Sequence, residues 1–503
     1  MKPLNLTGHG MTAADFLDVV LRRRPVRLSA RATQKMNRSR RVVERILSEG
    51  RVVYGVNTGF GKLATERISH SDIARLQVNL LRSHACGVGP PLAEDAVRGM
   101  LLLRAHVLAM GHSGVRPVVA EHLLQILNQP LYPRIPRFGS VGASGDLIPL
   151  AHLSLLLIGE GEAYFEGARL PATEALKRAG IEAITLKAKE GLSLVNGTQA
   201  ALSLGLLGLH AAECLADASD LAGAMTLEAL MGTPTAFDEK LQELRPHRGQ
   251  LEVAKNIQAL LRESEIRASH ITCNRVQDPY SIRCIPQVHG AVRDAIDSAK
   301  AVLSTEINSV TDNPIVFPET GEILSGGNFH GHPLALALDV LAIALTHLSV
   351  ISERRIAQLI APDCIDLPPF LTRRPGLNSG LMMPQVAAAA LASECKRLSH
   401  PASVDSIPTS VDQEDYVSMA MGAALKLQEV TTHVGAILAI ELFAAAEGVS
   451  FHAPLKAGVG VMKGIKKLRT NVRPLDADRS LHADFEKITR MISGGIFSLN
   501  RLI

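Results

Sequence analysis

From about residue 191 onward, apolar positions recur at helical spacing with few polar interruptions. The segment NGTQAALSLGLLGLHAAECLADASDLAGAMTLEALMG carries them on several faces, the pattern of a helix buried by neighbours on most sides. HPLALALDVLAIALTHLSVISERRIAQLI, MMPQVAAAALASECKRLSH and EVTTHVGAILAIELFAAAEGV repeat it. Their abundant Ala and Gly let helix backbones approach closely. The pattern predicts a mainly α chain built on a long central multi-helix bundle, completed by other subunits. The first 190 residues are more broken. RVVYGVNTGFGKLAT and SHACGVGPPLA are glycine-rich loops between helical patterns, and the prolines of NQPLYPRIPRFGS hold it extended. Strand signals are few. A boundary near 200–225 divides a loop-rich N-terminal domain, 1–225, from a helical C-terminal domain, 226–503.

Composition narrows the picture. There is no Trp and aromatics make up 3% of 503 residues, so the core must be Leu, Ala, Val and Ile. A net charge of +4 over that length argues against an extended nucleic-acid footprint. Six cysteines (Cys86, Cys214, Cys273, Cys284, Cys364, Cys395) lie far apart, without the paired spacing of a zinc knuckle or a disulfide framework. The start, MKPLNLTGHGMTAADF, has no apolar core of an export signal. Uninterrupted apolar runs such as LIPLAHLSLLLIG fall short of the roughly 18 residues a membrane span needs. The expectation is a cytoplasmic chain with neither membrane nor nucleic-acid partner.

The most unusual stretch is PRFGSVGASGDLIPLAHL, where Gly139, Gly142 and Gly145 lead into Asp146 and an apolar run. A phosphate loop would need Lys and Ser or Thr after its last glycine; Asp146 stands there and would repel phosphate. A dinucleotide turn has a different glycine spacing and follows an apolar strand. A plain tight turn with Asp146 at a helix N-terminus accounts for Asp146 but not for Ala143-Ser144-Gly145. The third reading is chemical. If the Gly145 nitrogen attacks the Ala143 carbonyl, a five-membered ring closes within the backbone, and small residues permit the approach. Loss of water from the ring and from Ser144 leaves a conjugated alkene, an electrophile that no ordinary side chain supplies.

GSVGASGDLIPLAHLS resembles the signature of the aromatic amino-acid ammonia-lyases, in which the Ala-Ser-Gly triad becomes 4-methylideneimidazol-5-one (MIO). YGVNTGFGKLA, SHACGVGPPL, LVNGTQ, QDPYSIRCIPQVHG, TDNPI, SGGNFHGHPLA, SERRIAQLI, LPPFL, GLNSG and HPASVDSIPTSVDQEDYVSM are similar to further blocks of that family, in its order. Among its branches the chain is most similar to the histidine lyases. Ser83-His84 stands where the phenylalanine enzymes usually carry Phe-Leu, and Gln413-Glu414-Asp415 where they read Asn-Gln-Asp. Both differences put polar groups around the expected substrate ring. A His and a carboxylate suit an imidazole, whereas a phenyl ring would leave them unpaired.

The resemblance implies non-oxidative elimination of ammonia from L-histidine to give trans-urocanate, the first step of histidine degradation. It implies MIO formed autocatalytically from Ala143, Ser144 and Gly145, with no metal and no external cofactor. Tyr54 is then the base for the β-proton, which requires its phenolate to be stabilised; the positive ends of helices converging on the ring would supply part of that. Arg283 pairs with the substrate carboxylate. Tyr280, Asn196, Gln277 and Phe329 correspond to positions that line the site, and His84 and Glu414 are the imidazole contacts. A homotetramer with shared active sites is implied as well. His330 and His332 in NFHGHP invite a metal reading, but no third ligand of suitable spacing accompanies them. GVGVMKGIKKLR reads as a basic surface segment, since Lys463 replaces the last glycine of a dinucleotide turn. Two positions depart from the histidine pattern: Tyr416, where His is usual, and Pro90, where Glu is frequent. They leave open a tyrosine or phenylalanine lyase or an aminomutase of the same family. A catalytically silent helical scaffold is the remaining reading.

Overall fold

The four long apolar patterns fold as helices, spanning Gln199–Ala229, His332–Ile360, Met382–Leu398 and Ala420–Ser450. A fifth long helix is Ile285–Ile307. The computed structural model describes residues 1–270, 277–361 and 367–503; Cys273 and Cys364 lie outside them. Among the described residues the chain is mainly helical, as the periodicity predicts, and strands are short and few.

Contacts divide the chain into two units whose segments alternate. One comprises Met1–Leu207, Ala301–Leu338 and Pro401–Leu425; the other comprises Gly208–Lys300, Asp339–His400 and Lys426–Ile503. The first holds all the described strands. Val88–Pro91 pairs antiparallel with Pro136–Phe138, so part of the expected glycine-rich loop SHACGVGPPLA is a strand instead. Its prolines sit where a short two-stranded ribbon has no inner neighbour to supply with N–H donors. This ribbon sets Cys86 and Gly87 beside the entry to the Gly139–Gly145 turn. A buried Arg104 reinforces the region, donating to the carbonyls of Ser193 and Asn196 and to the Gln199 side chain.

In the second unit, polar groups within the apolar helices are paired with one another. Arg355 and Glu441, both fully buried, form a two-pronged ion pair. Thr226 and Ser352 donate their hydroxyls to the same carboxylate. His289 bridges Asp220, Ser219 and Arg355. An ion pair satisfied in this way is tolerated in an apolar interior, where an unpaired charge would not be.

The length expectation for apolar segments needs correction. Among the described residues three helices, Gln199–Ala229, His332–Ile360 and Ala420–Ser450, are long and apolar enough to cross a membrane by length and composition. Reading only uninterrupted runs missed this, because isolated polar residues break the runs without lowering their mean hydropathy much. Two-thirds or more of each apolar window is buried within the chain itself. The segment GVGVMKGIKKLR forms the helix Val459–Arg469, with Lys466, Lys467 and Arg469 in its last turn, as befits a basic helical surface.

Candidate active site

The Gly139–Asp146 turn is shaped by backbone that few side chains tolerate. Ser144 has φ +50°, and Gly142 and Gly145 have φ +82° and +83°. Left-handed backbone at Ser144 is costly for a residue with a Cβ and is characteristic of sites where surrounding structure enforces strain. It folds the chain back, so that the Gly145 N–H donates to the Gly142 carbonyl at 3.3 Å. A Cβ on Gly145 would lie 2.3 Å from the Gly197 carbonyl oxygen, and one on Gly142 would lie 2.1 Å from Ser418 Oγ. Glycine is therefore required at both places by space as well as by φ.

Asp146 begins the helix Leu147–Leu155, yet its side chain does not cap that helix. Its Oδ2 instead accepts the N–H groups of Ala200 and Ala201, at 2.9 and 2.8 Å. These are free donors in the first turn of Gln199–Ala229, and the Asp146 N–H donates to the Gly197 carbonyl. One residue thus clamps the reactive turn to a second helix. Burial pushes the Asp146 carboxyl up to about 6, against the pull of its hydrogen bonds and of Arg104. The positive end of Gln199–Ala229 is thus engaged by Asp146.

In front of the turn lies a cavity of about 280 Å³, lined among others by His84, Cys86, Ala143, Gly145, Ile148 and Glu414. Its size suits one small molecule. The Ser144 hydroxyl donates to Glu414 Oε1 at 2.9 Å. Glu414 also accepts from Ser410 Oγ at 2.6 Å and Thr409 Oγ1 at 3.2 Å. Both hydroxyls border the same cavity. They are site residues that sequence reasoning missed, although PTSVDQED places them within five positions of Glu414.

His84 ends the helix Ile73–His84. The single proton of Ser83 Oγ goes to the Leu80 carbonyl, so at 2.9 Å from His84 Nδ1 this oxygen acts as acceptor. Nδ1 then carries the imidazole proton, and Nε2 is left with a lone pair. Burial lowers the His84 pKa, while the Leu80 carbonyl and Glu414 oppose the shift, which favours the neutral ring. This refines the pairing expected from sequence. His84 Nε2 and Glu414 both accept hydrogen bonds, and the Thr409 and Ser410 hydroxyl protons are directed to Glu414. His152 Nε2 accepts the Gly87 N–H at 3.0 Å.

Tyr54 lies in the turn-rich segment before the short 3₁₀ helix Gly61–Leu63, and its phenol oxygen accepts the Gly61 N–H at 3.4 Å. Burial pushes its pKa up, the Gly61 N–H opposes this, and Glu414 adds to the rise. The net effect is opposite to the phenolate stabilisation that a base needs. Asn196 is buried; its Nδ2 donates to the Asn313 carbonyl at 2.9 Å, and its Oδ1 has no hydrogen-bond partner. An orphaned acceptor next to Gly197 and the reactive turn is what a donor-bearing ligand would satisfy. Phe329 is half-buried in the same unit. Gln277, Tyr280 and Arg283 belong to the other unit. Gln277 is exposed, Tyr280 is 71% exposed, and the Arg283 guanidinium lies 4.5 Å from the Tyr280 ring centroid with Nε buried and unpartnered. His330 and His332 have ring centroids 5.9 Å apart. Among the described residues no group of three or more His, Cys, Asp or Glu side chains is arranged to hold a metal ion.

The profile of the aromatic amino acid lyases matches residues 11–472. The chain belongs to that family. The histidine ammonia-lyase of Myxococcus xanthus is 49% identical over 490 residues, covering 97% of this chain and 96% of that one. Among solved structures, the histidine ammonia-lyase of Trypanosoma cruzi superposes with a TM-score of 0.92 at 39% identity, covering 100% of this lyase and 96% of that chain. The tyrosine aminomutase of Streptomyces globisporus does so with a TM-score of 0.93 at 36% identity, covering 99% of each. The helical fold and carbon–nitrogen lyase class expected from the sequence are those of the family.

Proposed function

We propose that this lyase is a histidine ammonia-lyase, converting L-histidine to trans-urocanate and ammonia at the start of histidine degradation. The observation that carries the reading is the pairing of His84 and Glu414 across one small cavity from the Ala143-Ser144-Gly145 turn. The curated relatives at about 50% identity over nearly the whole chain support it.

The turn fits the family's prosthetic group. Gly145 has no room for a side chain, Ser144 is held in strained backbone, and the buried Asn196 Oδ1 lacks a donor. MIO, formed from Ala143, Ser144 and Gly145 by loss of two waters, would supply an electrophile that makes the substrate amine a better leaving group. The chain's own side chains bind, orient and move protons. The substrate ring N–H finds an acceptor in His84 Nε2 or Glu414. A phenyl ring leaves these groups desolvated and unpaired, which costs about 1–3 kcal/mol for each. Arg283 pairs with the substrate carboxylate, and Tyr280, Asn196, Gln277 and Phe329 orient the substrate. Tyr54 accepts the β-proton as the Cα–N bond breaks and the Cα–Cβ double bond forms. The working form is a cytoplasmic homotetramer whose sites draw on more than one subunit; sedimentation as a monomer alone would overturn that part.

The test is incubation with L-histidine, L-tyrosine and L-phenylalanine, following near-ultraviolet absorbance and ammonia together. Urocanate absorbance and ammonia rising with histidine alone is the expected result. Isomerisation of tyrosine without ammonia release would mark an aminomutase. An intact mass lacking the deficit of two waters would favour the silent scaffold. Ser144→Ala should keep the fold and lose turnover.

A further inference from the structure

The segment 409–419 is stitched along the reactive turn at three positions. Glu414 accepts from Ser144, Ser418 packs against Gly142, and the Met419 N–H donates to the Val141 carbonyl at 2.8 Å. It is also strained. Ser410, Val411 and Asp412 have φ of +52°, +54° and +60°, and Met419 has +57°. Consecutive left-handed residues other than glycine persist only where surrounding contacts over-determine them. The Thr409–Glu414 backbone pairing closes this turn on itself, which leaves its placement on the rest of the unit to other ties.

One such tie lies midway, at Tyr416. The His330 ring faces the Tyr416 ring, 6.1 Å between centroids and 12° between planes, and His330 Nε2 lies 3.2 Å from the Tyr416 carbonyl oxygen. A carbonyl only accepts, so Nε2 carries the proton. His332 flanks the same ring at 6.0 Å. Tyr416 is 60% exposed, so these two imidazoles rather than a surrounding core hold its ring.

We propose that His330 is a positioning residue: through the Tyr416 carbonyl and ring it holds the strained 409–419 segment so that Glu414 stays aimed at residue 144 and the substrate ring. Its chain neighbour Phe329 is thereby kept in register with Glu414. The proposal rests on the reading of Glu414 as a ring contact, and it gives Tyr416 a role, since a tyrosine ring at this place offers His330 a broad face.

The experiment pairs hydrogen exchange with kinetics. In purified His330→Ala, peptides covering 409–419 should exchange about fivefold to tenfold faster, the worth of one hydrogen bond, with other regions unchanged. His330→Gln, which keeps a donor near Nε2, should restore most of the protection. The same His330→Ala should lower kcat/KM for histidine about fivefold to tenfold with Glu414 present, and have no further effect in Glu414→Gln. Unchanged exchange at 409–419 in His330→Ala would overturn the latch. So would equal losses with and without Glu414, which would mark a general structural role. If Glu414→Gln itself turns over histidine normally, the ring-contact reading fails and the kinetic half of the proposal with it, while exchange still reports whether His330 holds the segment.

Discussion

Asp146 offers a direct test of how the reactive turn is anchored, through the pair Asp146→Ala and Asp146→Asn. The carboxylate is 1% exposed, and its Oδ2 is the acceptor for two N–H groups at the start of Gln199–Ala229. Alanine leaves both donors buried without an acceptor, at roughly 1–3 kcal/mol each, or about 2–6 kcal/mol together. Asparagine keeps an oxygen in that place and removes the buried charge. The pH dependence separates the two effects. The folded value of about 6 lies above the ordinary 3.8, so the folded chain holds an extra proton between them. The stability this contributes is complete below about pH 4 and lost as pH rises through about 6. At 1.36 kcal/mol per pH unit, the gap amounts to about 3 kcal/mol, an order-of-magnitude figure. Asp146→Asn should therefore gain on the parent between pH 4 and 6 and hold that gain above 6, whereas Asp146→Ala should remain less stable than Asp146→Asn throughout. With no Trp in the chain, urea unfolding is best followed by far-ultraviolet circular dichroism. A parent–Asn difference that does not change with pH, or equal stability of the Ala and Asn variants, would refute the account.

Three other outcomes are expected. Gly145→Ala should fail to lose the mass of two waters, because its methyl would sit 2.3 Å from the Gly197 oxygen at φ +83°; a normal mass deficit would show that the turn can give way. Glu441→Gln leaves Arg355 buried without its countercharge and should destabilise by about 3–5 kcal/mol, read from thermal unfolding; an unchanged midpoint would show that the pair contributes nothing. Because burial raises the Tyr54 pKa, less phenolate is present near neutrality, so kcat/KM should climb as pH rises toward the alkaline range. A rate flat from pH 7 to 10 would argue against Tyr54 as the base, and Tyr54→Phe should remove the climbing limb.

Legibility in the sequence followed the range of the interactions involved. The long helices were readable because their apolar periodicity is local, and His332–Ile360 coincides with the quoted pattern. The turn at Ala143-Ser144-Gly145 was readable because small residues in a row restrict the chemistry. What clamps that turn was not. Asp146 looked like the cap of its own helix, yet its partners are 54 and 55 residues away, and Ser144 meets Glu414 across 270. The electrostatics is as distant in sequence: Asp146 engages the start of Gln199–Ala229, and the paired carboxylate and guanidinium that make apolar helices of membrane length acceptable inside the fold lie on different helices.

Tyr416 shows how such distant pairing alters the meaning of a substitution. Read along the chain, a tyrosine two positions from Glu414, where histidine is usual, weakens the case for an imidazole substrate. Its ring, however, rests against His330 and His332, and its main chain is what His330 holds. A change there acts on the aim of Glu414 rather than on the set of acceptors that meets the substrate. That set consists of His84 Nε2 and the Glu414 carboxylate, the latter held by the Ser410 and Thr409 hydroxyls, all bordering one cavity, and it is the same whichever ring stands at 416. Tyr416→His should accordingly leave the preference for histidine over tyrosine intact and change kcat/KM for both substrates by a common factor. A reversal of that preference would place the Tyr416 ring in the recognition set itself.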